Sequence, residues 1–169
     1  MAEEAVQNGT VSDGNGIVLW VPAIANPLAP TPAELNAAGV KKLTYGITGD
    51  GFQHGTTFAV VTKSRYTLAQ ALEDEGVATD TLEITYVYNR TTPTVAELAL
   101  GVKGATGFIV HVLGYENGHV FVATDKINAI LPVKLGTSRD VPPTANGELA
   151  KIVKANVTGI VRREVAVAA

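Results

Sequence analysis

Residues that could do chemistry are few and scattered in this chain. His54 follows Asp50 in a glycine-rich segment, and an aspartate that orients a histidine can form an acid–base pair. No nucleophile is near, and glycines around an aspartate commonly build a turn, so we interpret Thr48–Thr57 as a turn. His111 lies in an apolar run with only His119 near it in sequence, which indicates a packed or interface histidine. We expect no catalytic, cofactor-binding or metal-binding residues.

Three further segments fall short of a ligand site. Asp13–Gly16 begins like a calcium-binding loop but lacks the later ligands and the closing glutamate. Gly101–Gly107 precedes a predicted strand, whereas a phosphate cradle needs glycines before a helix. Arg162 and Arg163 form a lone basic pair, which is more typical of a solvated strand end than of a phosphate clamp.

The composition excludes several classes of protein. The chain has 169 residues, no cysteine, three histidines and three serines, which suits one domain and rules out disulfides and thiolate chemistry. Its net charge of −3 disfavours a nucleic-acid reader, which needs a basic patch. No apolar run approaches the length of a membrane helix, and the acidic start lacks a signal-peptide pattern. We expect neither membrane insertion nor ordinary secretion.

The elements that must position these residues are mostly strands. Valine (22) and threonine (19) supply about a quarter of the chain, and both favour a pleated surface. In Leu82–Asn89, Leu82, Ile84, Tyr86 and Tyr88 share one face and polar residues share most of the other. The predicted strands are Ile17–Val21, Leu43–Ile47, Phe58–Thr62, Leu82–Asn89, Phe108–Leu113, Val120–Thr124, Ile127–Leu135 and Leu149–Thr158.

Two short helices and one hairpin are also predicted. A capping box at Thr31–Glu34 predicts a helix over 32–38 that ends at Gly39, and Thr94–Glu97 predicts another through Leu100. Asn117-Gly118 predicts a tight turn between Phe108–Leu113 and Val120–Thr124.

The fold class follows from this order of elements. We predict a mainly β protein, an antiparallel β-sandwich or barrel with one or two short helices and an extended N-terminal arm. Residues 1–30 are interpreted as arm and extended segment, because 1–16 are polar and 22–32 are rich in proline. Residues 31–169 form the sandwich domain, with a long loop at 137–147 and a short apolar tail at 164–169.

From about residue 30 to the end, the order of segments resembles the major tail tube proteins of long, non-contractile-tailed (siphovirus-type) bacteriophages, particularly those that infect actinobacteria. The T-Y-V-Y block and the V-T-G-x-V-x-R-x-V-A-V ending are its most specific parts. The residues that carry the resemblance are Thr31–Gly39, Asp50–Phe52, Thr81–Asn89, Gly104–Val110, Asp125–Ile127 and Val157–Val167.

This resemblance implies a structural virion protein of the phage tail, made in the bacterial host cytoplasm and without enzymatic activity or cofactors. Six copies are expected to form a ring whose strands join in one barrel around a lumen. Rings stack through loops and terminal arms, and viral DNA passes through the lumen without specific binding. A tape measure protein and tail tip and terminator proteins are the other implied partners. The relatives also favour extended chain at 64–72, against the helical spacing of Leu68 and Leu72.

An acidic subunit suits a conduit that repels DNA phosphates. Glu83 is our first candidate for a lumen-facing residue and Asp125 the second.

Two alternatives remain open. A monomeric β-sandwich binding module, such as a virion decoration or baseplate component, should present an aromatic surface, but aromatic residues make up only 6% of the chain. A hydrolase on a β scaffold would need His54 or His111 beside a carboxylate.

Overall fold

The computed structural model describes residue 5 and residues 8–169; the rest of the predicted N-terminal arm lies outside the described residues. In the described part, nine strands, two α-helices and one 3-10 turn follow one another. They are β1 (Gly16–Val21), α1 (Pro32–Leu35), β2 (Lys41–Lys42), a 3-10 turn (Thr44–Gly46), β3 (Ile47–Lys63), β4 (Leu72–Val87), α2 (Val95–Leu100), β5 (Thr106–Leu113), β6 (Lys126–Leu135), β7 (Arg139–Asp140), β8 (Ala150–Val157) and β9 (Arg162–Ala166).

The strands form one antiparallel sheet that folds over on itself. Its order is β2-β1-β5-β6-β8-β4-β3, with β7 paired to β8 and β9 paired to β6. The fold-over lies where Val133–Leu135 of β6 pairs with β8. The two halves then face each other across a shared core, which includes Trp20 of β1, Ile109 of β5 and Tyr86 of β4. This is the predicted mainly β, antiparallel architecture with two short helices.

A second core covers the other face of β1, β5 and β6. Leu35 of α1, Phe121 and the C-terminal Val165 and Val167 pack there against alternate residues of β1 and β5. Central strands buried on both faces need apolar residues at successive positions. This explains the unbroken apolar run at Ile17–Val21, whereas β4 has one buried face and therefore alternates.

Most of the predicted strands are confirmed. Those over Ile17–Val21, Phe108–Leu113, Ile127–Leu135 and Leu149–Thr158 correspond to β1, β5, β6 and β8, and Leu82–Asn89 lies in β4 as far as Val87. The helix capped by Thr94 is also confirmed, since the Thr94 hydroxyl accepts the Glu97 N–H at 3.1 Å. The boundary at residue 30 stays a prediction, although β1 packs in the same cores as the later strands.

The region around β3 differs from the prediction. Thr48–Thr57, predicted as a turn, belongs to β3, and its irregularity is confined to a bulge between Ile47 and Phe52. Residues 64–72, for which extended chain was favoured, contain strand only at Leu72. The preceding residues reverse the chain, with Thr67 at φ 62° and a 3.0 Å bond from the Leu68 N–H to the Arg65 carbonyl.

Two other predicted strands are wrong. Val120–Thr124 is loop, because the Asn36 side chain binds both the N–H and the carbonyl of Phe121 and so occupies groups that a strand ladder would use. Leu43–Ile47 is mostly a 3-10 turn, closed by a 2.8 Å bond from the Gly46 N–H to the Leu43 carbonyl.

Both ends of the predicted domain also need correction. The first helix ends at Leu35 rather than 38, although its capping box at Thr31 and Glu34 is confirmed. Half of the predicted C-terminal tail, Glu164–Ala166, belongs to β9, and Val167 is held by backbone bonds to Thr124 and Asp125.

Candidate assembly surfaces

The β3–β4 hairpin extends beyond the sandwich. Residues 57–79, which we call the overhang, are all exposed except the half-buried Gly76. Apolar side chains are included, with 62% of Val60 and 77% of Val77 accessible to solvent. Uncovered apolar side chains grouped on one element are typical of an interaction surface.

The overhang has the cross-strand order of a regular hairpin. Six of the twelve paired positions of the β3–β4 hairpin lie in the overhang, from Thr57 opposite Thr79 to Lys63 opposite Leu72, with one irregularity between Phe58 and Val60. Near the tip the Lys63 ammonium lies 2.6 Å from the Asp74 carboxylate, but both side chains are about half exposed, so this pair adds little stability. The direction in which the overhang extends is therefore set by contacts at the root of the hairpin, where its two strands leave the sandwich.

A polar cluster holds that root, and we call it the root cluster. Asp80 of β4 accepts hydrogen bonds from the Thr56 hydroxyl at 2.6 Å and from His54 Nε2 at 3.1 Å, both on β3. Arg163 of β9 donates to the same carboxylate and, at 2.8 Å, to the Thr56 hydroxyl. β9 is thereby tied to the point where the hairpin leaves the sandwich.

The environment of Asp80 favours its charged form. Burial alone would raise the pKa of Asp80, but the hydrogen bonds from Thr56 and His54 and the charge of Arg163 outweigh it. The pKa therefore lies below its usual value of 3.8. The root cluster is strongest where Asp80 is ionised.

A polar sheet face lies opposite the core on β3, β4 and β8. Gln53, Glu83 and Lys154 occupy one row across the three strands, with Gly55 and Thr81 in register beside them. Together with His54 they line a shallow surface depression. Glu83 thus lies on a solvent-facing side of the sheet, as a lumen-lining residue requires. Lys154 lies beside it, so this row of side chains carries no net charge.

Asp125, the second lumen candidate, is buried instead. Its carboxylate accepts the Val122 N–H at 2.8 Å and lies 2.7 Å from His119 Nε2, while the His119 ring stacks on Tyr115. Burial would raise the pKa of Asp125, but the bonds from Val122 and His119 lower it overall. Asp125 therefore holds the β5–β6 loop together, and its carboxylate lies inside the subunit rather than on its surface.

The remaining candidate residues lie in packed, turn or capping positions. The ring centroid of His111 is 4.7 Å from that of Phe52, and its burial, with a smaller contribution from the charge of His54, lowers the pKa of His111. Gly14 of the calcium-like segment takes φ 77° in a turn, and Gly101 caps α2. In residue 5 and residues 8–169 no group of three potential metal ligands comes together, and no helix is long and apolar enough to span a membrane.

The sequence interpretation missed the two features that stand out here. The carboxylate that binds His54 is that of Asp80, 26 residues after the histidine, and not that of the nearby Asp50. Only the strand register brings them together. The overhang was missed because its apolar run, Phe58–Thr62, is typical of a buried strand; the acidic run Glu73–Glu75 that pairs with it was the available signal.

These features describe a mainly β protein with three parts: a sandwich, an uncovered hairpin and a polar sheet face. The family model for phage tail tube proteins matches residues 4–169, and the chain belongs to that family. It is accordingly a structural subunit of a bacteriophage tail, located in the virion, that assembles into a tube with other tail proteins. No curated protein matches the chain.

Proposed function

We propose that six copies of this subunit form a ring, that rings stack into the tail tube, and that viral DNA passes through the lumen into the host. The overhang carries this proposal. Phe58, Val60 and Val77 of the hairpin are exposed to water. The hairpin is stabilised when another chain covers them, because burial of apolar area is favourable. A tube supplies such a chain at every position.

The polar face of β3, β4 and β8 suits the lumen. Around the opposite charges of Glu83 and Lys154 it presents Gln53, Gly55 and Thr81, and Ile152 lies on the same face opposite Thr85. A lining without a basic stripe does not hold phosphates, and the subunit carries a net charge of −3. DNA can then slide along the tube without being retained.

The tube is that of a siphovirus-type phage, with an actinobacterial host, and is assembled in the host cytoplasm with tape measure, tail tip and terminator proteins as partners. The subunit has no catalytic role and no cofactor. Residues 1–30 supply the N-terminal arm and, from Gly16 to Val21, strand β1 of the sandwich, and 31–169 supply the rest of the ring-forming domain. An arm deletion that spares the fold should stop before Asn15, because the Asn15 carbonyl accepts the Gly114 N–H at 2.9 Å.

Negative-stain electron microscopy and light scattering of the full chain over a concentration series test the proposal. We expect six-fold annuli or hollow tubes. The matched variants are Val60→Lys in the overhang and Val120→Lys in the β5–β6 loop, since these valines are 62% and 65% exposed. Val60→Lys should stop growth beyond single rings, whereas Val120→Lys should assemble like the parent chain.

The outcomes separate the alternatives. Assembly of Val60→Lys with parental efficiency would remove the overhang from the stacking contact. A chain that stays monomeric at high concentration, even when phage tail tips are added as nuclei, would favour the monomeric binding module.

A further inference from the structure

The last strand, β9, contacts two opposite sides of the subunit. On one side Arg163 donates to Asp80 in the root cluster, at the base of the overhang. On the other side Val165 and Val167 pack in the second core. The Val167 N–H also donates to the Asp125 carbonyl of the β5–β6 loop at 2.8 Å. β9 therefore connects the base of the overhang to the face of β6 that lies away from it.

A regular strand could not make both contacts. Arg163 and Val165 are two residues apart, and residues at that spacing point to the same face of a sheet. In β9, however, Arg163 pairs with Ala129, which lies in the core between the two sheet halves. Val165 pairs with Ile127, which lies in the second core. Both β9 and its partner β6 thus change face between these two pairs.

Glu164 produces the change of face in β9. Its φ of 51° lies in the left-handed region, where a residue other than glycine costs free energy. Its exposed side chain accepts a long bond of 3.5 Å from Asn128 Nδ2, which is too weak to impose this backbone conformation. The contacts on either side of Glu164 must hold it there. With Glu164 extended, either Arg163 would leave the root cluster or Val165 would leave the second core.

We propose that residues 162–168, which we call the strap, set the direction of the overhang, with Glu164 as the point where the strap changes between two arrangements. In the left-handed arrangement the second core holds β9, and Arg163 fixes the base of the hairpin. In the extended arrangement that tie is released. Because coupling between two sites is reciprocal, a chain that covers the overhang also tightens the strap on the second core. The strap acts within one subunit, so it does not depend on the proposed ring.

Distances between two nitroxide spin labels on the dilute subunit test the strap. Thr62→Cys in the overhang and Lys134→Cys on β6 carry the labels, since both positions are exposed and the chain has no cysteine of its own. Glu164→Val opposes the left-handed conformation, because β-branched residues tolerate it least, and Glu164→Gly permits it. Ala166→Val is the matched control, since Ala166 is exposed on the same strand and its φ is not left-handed.

A second pair of variants tests the anchor in the second core. Val167→Ala and Val112→Ala remove the same atoms from that core, and both side chains are buried. Only Val167 belongs to the strap, whereas Val112 lies on β5. The pair therefore separates an effect of the strap from an effect of lost packing.

The parent chain should give one narrow distance between the labels, and Glu164→Gly, Ala166→Val and Val112→Ala should keep it. Glu164→Val and Val167→Ala should broaden or shift that distance, because Arg163 no longer holds the root. The parental distance in either of these two variants, once folded, would overturn the proposal. Equal broadening in Val112→Ala and Val167→Ala would overturn it too, because the overhang would then respond to any loss of packing in the second core.

Discussion

The two ends of the β3–β4 hairpin belong to the same strands but to different environments. At one end Leu82 and Ile84 are fully buried between the sheet halves, and at the other Leu72 and Val77 are mostly exposed. The buried end is held by the fold of one subunit, whereas the exposed end has apolar side chains that only another chain can cover. The difference indicates that this hairpin serves the fold at its root and assembly at its tip.

The largest contrast is between two leucines of β4. Leu82→Ala removes a fully buried side chain, and loss of its contacts together with the cavity should lower the free energy of unfolding by about 3 kcal/mol. Leu72 is 54% exposed, so Leu72→Ala should change the free energy of unfolding by less than about 0.5 kcal/mol. Urea unfolding of the dilute subunit measures both. Equal losses would mean that the overhang is packed within the subunit.

A glycine pair gives the next contrast. A Cβ at Gly107 would lie 2.7 Å from the Trp20 ring and 3.0 Å from the Val21 carbonyl, so Gly107→Ala must displace β1. Overpacking of this kind should cost about 2 kcal/mol. A Cβ at Gly49 of β3 would have no neighbour within 4 Å, so Gly49→Ala should be neutral or slightly stabilising. Thermal unfolding of the two variants compares them, and a neutral Gly107→Ala would contradict the tight contact between β1 and β5.

Arg163 at the root should have a smaller and more local effect. Arg163→Ala removes one of three donors to Asp80, and because the arginine side chain is 43% exposed the loss should be about 1 kcal/mol. Amide hydrogen exchange should quicken in residues 57–79 while β1 and β5 keep their protection. Arg162→Ala in the same strand is the control, since Arg162 makes no ion pair in the described residues. Unchanged exchange in the overhang would show that Arg163 does not steady the hairpin.

The buried end of the hairpin could be predicted from the sequence better than its exposed end. Alternation in Leu82–Asn89 and the unbroken apolar runs of β1 and β5 report burial directly, so the sandwich could be predicted. The overhang was harder to predict, because Phe58–Thr62 has the composition of a buried strand and the signal against burial lies on the partner strand, in the acidic run Glu73–Glu75. The His54–Asp80 pair depends in the same way on a register set by the bulge between Ile47 and Phe52.

Acid titration of the root cluster gives the smallest expected change. The pKa of Asp80 is lower in the folded chain than its usual 3.8, so its contribution to stability is complete above that value and is lost as the pH falls through the folded pKa. Asp80→Asn should therefore be less stable than the parent near neutral pH and lose less stability below about pH 4. Asp74→Asn at the exposed tip should follow the parent curve, because its ion pair with Lys63 is solvated. Urea midpoints measured from pH 2.5 to 7 give the three curves. Parallel curves for Asp80→Asn and the parent would show that the stability of the subunit does not depend on the ionisation of Asp80.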